Sequence, residues 1–217
     1  MSLGDEEIHK NVLEQFKWDA RIKSTEIGVT VKDGVVNLVG RVDSYTKKWT
    51  AEEVALRVAG VRAVVNELEV ELPSSSVRSA EDIGRAAKLA LETSYDIPNT
   101  VKAVVDKGWI TLRGEVEWHY QKEAADRKVR DIVGVKGVIN QIQVQPKVKP
   151  EDLKRRIESA LARTAETDAK NIQVDVRDGK VILKGRVHSW YEKEEAKREA
   201  WLAPGVREVV DELAITP

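Results

Sequence analysis

Asp178–Val187 reads Asp-Gly-Lys-Val-Ile-Leu-Lys-Gly-Arg-Val, and two earlier stretches of this 217-residue chain repeat its pattern. They are Asp33–Val42 (DGVVNLVGRV) and Lys107–Val116 (KGWITLRGEV). Each copy carries two glycines six positions apart, and a third glycine follows twenty positions after the second. The nine glycines are Gly34, Gly40 and Gly60, then Gly108, Gly114 and Gly134, then Gly179, Gly185 and Gly205. A pattern kept three times indicates a small fold that is repeated in tandem.

The spacing of the copies divides the chain into three units of similar length. Gly114 follows Gly40 by 74 residues, and Gly185 follows Gly114 by 71. Solenoid repeats have periods of about 20–50 residues, so tandem small domains fit this longer period better. Domains of this size bury only about 60% of their unfolded surface, and some packing between units is therefore expected. We predict repeat 1 over 1–72, a flexible linker over 73–79, repeat 2 over 80–146 and repeat 3 over 147–217.

Each unit begins with a predicted amphipathic helix. Apolar residues recur at every fourth position, which is the spacing of one helix face. Acidic residues precede them, where they suit the positive end of the helix dipole. The three apolar sets are Ile8, Val12 and Phe16, then Ile83, Ala87 and Leu91, then Leu153, Ile157 and Leu161.

A β-hairpin follows the first helix. Asp33-Gly34 and Asp178-Gly179 indicate tight type I′ turns, because glycine tolerates the positive φ that such turns require. Alternating apolar residues on the second strand predict one buried face: Val36, Leu38 and Val42, then Ile110, Leu112 and Val116, then Val181, Leu183 and Val187. Gly40, Gly114 and Gly185 fall on this same face. Because a glycine in a strand often marks a close backbone approach, we infer that a helix crosses tightly over each of them.

A second helix and a third strand complete each unit. The helices are predicted over 44–59, 118–133 and 189–203, and glycine is well placed as the C-cap of each. Ala51, Ala125 and Ala196 share one helix position, where a small side chain would let the helix lie close to the sheet glycine. The third strands place Val64, Leu68 and Val70, then Val138, Ile142 and Val144, then Val209, Leu213 and Ile215 on one face. The prediction is an α+β fold of three tandem two-layer αββαβ units, each with two helices on one face of a three-stranded mixed sheet.

Composition excludes several classes of protein. The 36 basic and 37 acidic residues nearly cancel, so the chain lacks the basic footprint of a nucleic-acid binder. The absence of cysteine excludes disulfides and thiolate chemistry. No run approaches the ~20 apolar residues of a transmembrane helix, and the first residues have no signal-peptide character. We expect a soluble, cytoplasmic protein, periplasmic only if a native leader has been removed.

The repeated unit resembles the BON domain, a family that includes osmotically inducible protein Y-like and transport-associated proteins. The resemblance lies in the first helix, the Asp-Gly hairpin, the V-x-L-x-G-x-V strand (36–42, 110–116 and 181–187) and the later Gly-Val, and it covers nearly the whole chain as three BON domains. It implies a small non-enzymatic module associated with osmotic stress or envelope integrity. It also implies a contact with phospholipid, which has been proposed for some members of the family.

Aromatic residues at the start of the second helix form the first candidate site. They are Tyr45 in repeat 1, Trp118, His119 and Tyr120 in repeat 2, and Trp190 and Tyr191 in repeat 3, preceded by Arg41, Glu115 and Arg186. A helix N-terminus offers free N–H groups to an anion, and Trp and Tyr suit a wet interface such as a lipid headgroup region. Alternatively, the rings cap the small cores or pack between repeats, and Glu115 would repel an anion.

The outward face of the sheets is the second candidate. Trp109 points outward there, beside an uncharged row of Gln141, Gln143 and Gln145 on the third strand. An apolar group ringed by polar groups often marks an interface, so this face is predicted to contact another repeat or chain. The alternative is an ordinary exposed face with a tolerated tryptophan.

Nothing in the sequence indicates catalysis. His9, His119 and His188 occupy different positions in their repeats, and no metal-ligand spacing or phosphate-binding loop occurs. We therefore predict no enzyme activity, no cofactor and no metal. The leading hypothesis is a binding or scaffolding protein of three modules that contacts a lipid surface or an unknown protein. The alternative is a structural protein that self-associates through the exposed aromatic residues around Trp109.

Overall fold

A computed structural model describes residues 4–22, 26–145, 149–163 and 171–215, without the side chain of Trp190. Repeat 1 consists of α1 (Asp5–Trp18), β1 (Ile27–Lys32), β2 (Val35–Val42), α2 (Tyr45–Leu56) and β3 (Ala63–Val70).

Repeats 2 and 3 follow the same order. Repeat 2 consists of α3 (Ala80–Glu92), β4 (Lys102–Asp106), β5 (Trp109–Arg113), β6 (Glu115–Val116), α4 (His119–Arg130), β7 (Gly137–Asn140) and β8 (Gln143–Val144). Repeat 3 consists of α5 (Pro150–Arg163), β9 (Ile172–Arg177), β10 (Lys180–Val187), α6 (Trp190–Trp201) and β11 (Glu208–Ile215).

The sheets share one topology. In repeat 1 the central strand β2 pairs antiparallel with β1 and parallel with β3. In repeat 3, β10 takes the same place between β9 and β11. The order in repeat 2 is β4-β5-β7, and a separate parallel pair, β6-β8, continues the second and third strands. The predicted α+β fold is therefore confirmed.

All three hairpins close with the predicted turn. Both central residues have positive φ in each copy: 52° and 76° at Asp33-Gly34, 48° and 86° at Lys107-Gly108, and 47° and 77° at Asp178-Gly179. Type I′ turns require this conformation at both positions. Lys107 adopts it although lysine has no particular preference for it, so the turn is preserved where the sequence signal is weaker.

The predicted apolar faces form the cores. The nine residues of the first-helix stripes and the nine of the second strands are all buried. In repeat 1, Phe16 and Leu38 are wholly enclosed within one cluster. Ile215 departs from the expectation for the third strand: it is 46% exposed, whereas its equivalent in repeat 2, Val144, is 5% exposed. The carbonyl oxygen of Val144 accepts a hydrogen bond from Arg207 of repeat 3.

Gly40, Gly114 and Gly185 are required for a reason that differs from the prediction. Their φ angles are 133°, 132° and 132°, a region that other residues rarely enter. A Cβ atom on each would lie 2.3, 2.3 and 1.9 Å from a backbone carbonyl oxygen just before the first hairpin strand, that of Glu26, Thr100 or Asn171. The inference that a helix crosses over these glycines was wrong, because the neighbouring strand's backbone occupies the space.

The second helices end earlier than predicted. They stop at Leu56, Arg130 and Trp201, and the C-cap of α2 is Arg57, not Gly60. Gly60, Gly134 and Gly205 lie in the following turn, with φ angles of 89°, 97° and 81°. A Cβ on the hairpin glycine, Gly34, Gly108 or Gly179, would lie 3.0, 3.1 or 2.7 Å from the carbonyl oxygen of the loop glycine. The hairpin glycine therefore lets the loop pack against the hairpin turn.

The segment between repeats 1 and 2 has local structure. Ser74–Ser76 form a 3₁₀ turn, in which Ser76 N donates to Pro73 O at 2.8 Å. The Arg78 guanidinium donates to the carbonyl oxygens of Ser75 and Val77. The flexibility of residues 73–79 and the repeat boundaries stay predictions.

The chain forms two compact units. The first unit comprises Met1–Ala87, Val104–Thr111 and Lys128–Ile139, and the second comprises Lys88–Ala103, Leu112–Arg127 and Asn140–Pro217. Over the described ranges, no helix is both long and apolar enough to cross a membrane.

Candidate functional site

An open groove of about 860 Å³ lies in the second unit. Its walls are one face of α5, the C-terminal end of α6 with the loop that follows, and the side chain of Trp118. The charged residues along it are Arg155, Arg156, Arg163, Asp152 and Glu199. Three guanidinium groups against two carboxylates give the groove a small positive excess.

Two of the three arginines are available to a ligand. Arg155 forms an ion pair with Asp152 on the preceding helix turn. Arg156 and Arg163 are exposed and form no ion pair with the part of the chain that the structure describes. Arg156 and Arg163 are seven residues apart on α5, which corresponds to about 10 Å along the helix axis. This spacing suits an extended anionic ligand.

Trp118 is held at the groove by a backbone cap. The side-chain oxygen of Gln121 accepts hydrogen bonds of 3.1 Å from the N–H groups of both Glu117 and Trp118. This is half of a capping box, in which the side chain at N3 reaches back to the N-cap. The half-buried indole lies 6.2 Å from the ring of Tyr120. The structure thus brings together two of the predicted aromatic residues, Trp118 and Tyr120.

The other helix N-termini are occupied by their own caps. Ser44 Oγ accepts from Lys47 N at 3.4 Å, and Ser189 Oγ accepts from Glu192 N at 3.1 Å. The Glu192 carboxylate also accepts from His188 N at 2.7 Å. A carboxylate at the start of α6 takes the place that an anion would occupy. N–H groups at this helix end, where the sequence predicts an anion, are therefore already bonded to the chain's own side chains.

The remaining predicted aromatic residues have varied surroundings. Tyr45 is half-buried, and both Arg186 and Tyr191 are exposed. The side chain of Trp190 lies outside the described residues. Tyr120 is 43% exposed and lines a shallow cavity of about 510 Å³ with His119 and Trp201.

Two contacts between repeats involve Trp49, Arg130 and Trp201, which the sequence did not single out. In the first unit, the Arg130 guanidinium lies 3.6 Å above the ring of Trp49, within the range of a cation–π interaction. In the second unit, the rings of His119 and Trp201 are 4.1 Å apart. The sequence offered one signal: Trp49 and Trp201 both lie on a second helix, and neither belongs to an apolar stripe.

Trp109 lies on the outward face, as predicted, and is 46% exposed. Its ring covers Gly137 on β7, since a Cβ there would lie 2.3 Å from the ring. The equivalent cross-strand pairs are Val35 with Ala63 and Lys180 with Glu208. Large residues therefore face small ones, or opposite charges face each other. Val104 and Ile139, on the two flanking strands, are 50% and 44% exposed, so Trp109 belongs to an apolar patch.

The shifted pKa values belong to groups held in ion pairs. Hydrogen bonds from Arg21 lower the pKa of Asp19 to about 2, and the Ser79 hydroxyl, with Arg85, lowers the pKa of Asp82. The carboxylate of Glu195 raises the pKa of Arg198. Within the described ranges, no group of three or more His, Cys, Asp or Glu residues is arranged to hold a metal ion.

Comparison with known families accounts for the repeat. The BON domain model matches residues 4–71, 79–146 and 150–217, which together span nearly the whole chain. The chain belongs to the BON domain family. Its three matches correspond to the three αββαβ units of the structure. The resemblance stated from the sequence is therefore confirmed.

One curated relative is the osmotically-inducible protein Y of Escherichia coli strain K12, a protein with 31% identity over 129 residues. The match covers 57% of this chain and 64% of that protein, so the chain spans less than two thirds of its relative.

Two solved structures show a weaker likeness. The C-terminal domain of CdsD, a structural protein of the type III secretion system of Chlamydia trachomatis, is 11% identical, with 99% of this chain and 100% of that chain covered and a TM-score of 0.29. The PrgH periplasmic domain is 12% identical, with 88% and 96% covered and a TM-score of 0.25. The family assignment rests on the BON matches and not on these structures.

Proposed function

We propose that this chain is a non-enzymatic binding protein of three BON modules that holds an anionic lipid headgroup in the groove beside Trp118. The observation that supports it is the placement of Arg156 and Arg163, two exposed cations along one helix face, opposite an indole ring. A guanidinium matches the geometry of a phosphate, and tryptophan favours the boundary between apolar and wet regions. The name of the osmotically inducible relative supports a role under osmotic stress.

Co-sedimentation with lipid vesicles tests this proposal. At low salt the chain is expected to bind vesicles that contain phosphatidylglycerol and not vesicles of phosphatidylcholine alone, because the groove acts through positive charge. Arg156→Gln is expected to weaken the binding about fivefold, since one basic residue at an anionic surface contributes about 1 kcal/mol. Added salt is expected to weaken it further by screening.

Arg85→Gln is the charge-matched control, because Arg85 is an exposed arginine on α3, the first helix of repeat 2. Its guanidinium pairs with Glu81 and Asp82 and lines no part of the groove. Both variants lose one positive charge, so a general effect of charge would weaken both equally. Equal binding by the wild type and Arg156→Gln, or no binding of anionic vesicles at low salt, would exclude the groove as a headgroup site.

A second candidate function is self-association through the outward sheet face of repeat 2. It is favoured by the apolar patch of Trp109, Val104 and Ile139, each between 44% and 50% exposed. Such patches mark interfaces in many proteins. Trp109→Ala is expected to lower the average mass in sedimentation measurements if this face joins two copies. A wild-type monomer that the substitution leaves unchanged would argue against this function.

A further inference from the structure

Repeat 3 forms hydrogen bonds with the end of the third strand of repeat 2 and with a residue just before its second helix. Within the second unit, Arg207 Nε donates to Val144 O at 2.7 Å, and Gly205 N donates to Glu117 O at 2.8 Å. Val144 ends β8, whereas Gly205 and Arg207 belong to the loop after α6. The loop of one repeat therefore receives the strand end of the repeat before it.

The equivalent segments also face each other in the first unit. Lys136 and Gly134 of repeat 2 occupy the positions of Arg207 and Gly205. Together with Val70 and Glu71, at the end of β3, they line one cavity of about 540 Å³. The second helices repeat the arrangement as well. The last residue of α4, Arg130, lies on Trp49 of α2, and the last residue of α6, Trp201, lies on His119 of α4.

Repeat 1 carries a third copy of this receiving loop, and none of the strand ends that the structure describes lies in it. Gly34, Gly60 and Arg62 line an open hollow of about 490 Å³ whose walls all come from repeat 1. The exposed Arg62 guanidinium makes no hydrogen bond or ion pair with any described residue. Repeat 3 offers the complementary element, because Ile215 at the end of β11 holds the position of Val144. Ile215 is 46% exposed, against 5% for Val144.

We propose that the receiving loop of repeat 1 binds the β11 end of a second copy of this chain. By equivalence with the contact of Arg207, Arg62 would donate a hydrogen bond to the carbonyl oxygen of Ile215. Gly60 N would donate to the carbonyl oxygen of His188, as Gly205 N does to that of Glu117. The contact joins two different faces, so it is heterologous and adds copies head to tail, into a ring if the rotation closes and an open chain if not. It uses neither the groove beside Trp118 nor the Trp109 patch.

Sedimentation velocity on the 217-residue chain tests this contact. Between about 1 µM and about 500 µM, a range that detects micromolar to sub-millimolar association, the mean mass is expected to rise with concentration. Arg62→Glu removes the hydrogen-bond donor of the receiving loop, and Ile215→Asp buries a charge in the contact. Each variant is expected to weaken association at least about tenfold, because a charge-assisted hydrogen bond is lost or an unpaired charge is buried. Both side chains are exposed, and circular dichroism verifies that the variants fold.

A mixture of the two variants gives the sharpest result. Arg62→Glu keeps its strand end and Ile215→Asp keeps its receiving loop, so an equimolar mixture is expected to form a dimer that cannot extend. Lys102→Glu changes the charge by the same amount at an exposed site on β4 and is expected to associate like the wild type. A wild-type chain that stays monomeric, association that survives Arg62→Glu or a mixture that stays monomeric would overturn the proposal.

Discussion

Replacing Gly40 with alanine is expected to lower the free energy of unfolding of repeat 1 by about 3 kcal/mol or more. Two effects act together. The residue has φ = 133°, and such strained conformations cost about 1–3 kcal/mol for a residue with a side chain. The new Cβ would also lie 2.3 Å from Glu26 O, a backbone atom that moves only if β1 moves. Because the two strands pair at this point, the collision cannot be relieved without disturbing the sheet.

Gly28→Ala is the matched control for this substitution. Gly28 lies in the same hairpin and pairs with Val39, next to Gly40. It has no positive φ, and its new Cβ would meet the Val39 side chain at 3.0 Å, a group that can rotate. Urea unfolding followed by circular dichroism would compare the two variants. Equal midpoints would show that neither the φ angle nor the carbonyl contact makes Gly40 necessary.

The sequence predicts the local structure of each repeat because neighbouring residues determine it. The type I′ turn at Asp33-Gly34 depends on two adjacent residues, and the strand that ends at Val42 on an alternation of period two. Both patterns occur three times, so accidental matches are averaged out. The order αββαβ and the buried faces follow from these local signals.

The function of the strand glycines could not be predicted in the same way. Periodicity shows that position 40 carries no side chain on the core face, but it does not show what occupies the space. A crossing helix and a neighbouring carbonyl both require glycine. Only the strand register, with Ile27 opposite Gly40, distinguishes them. The C-cap prediction failed for a related reason: Gly60 has the expected positive φ but serves the hairpin turn and not the helix end.

Of the residues that line the groove beside Trp118, the sequence predicted only Trp118 itself. Trp118 was found because aromatic residues recur at the start of the second helix. Arg156 and Arg163 were not found, because they lie on another repeat and read as the solvated face of an amphipathic helix. The same applies to Arg130, whose position at the end of α4 indicates a favourable interaction with the helix dipole but not the ring of Trp49. Contacts between repeats depend on tertiary packing, which no local pattern encodes.

Replacing Phe16 with alanine is expected to lower the free energy of unfolding of repeat 1 by about 3–5 kcal/mol, the range for removal of a buried aromatic ring. Phe16 is wholly buried and is among the largest side chains in its core. Small domains have total stabilities near the low end of about 5–15 kcal/mol, so this loss would leave repeat 1 with only about 0–2 kcal/mol of stability. Hydrogen exchange measured by mass spectrometry is expected to show loss of protection in β1 and β2, with protection kept in β9 and β10.

Trp18→Ala supplies the control two residues further along the same helix. Trp18 is 87% exposed, so its removal leaves no cavity and is expected to change the stability by no more than about 0.5 kcal/mol. Both substitutions remove an aromatic ring from α1, and alanine favours the helix in each case. A difference between them therefore measures the burial of Phe16 alone. If Phe16→Ala raised hydrogen exchange in β9 and β10 as much as in β1 and β2, the repeats would unfold as one cooperative unit. The three tandem repeats would then not be independently stable.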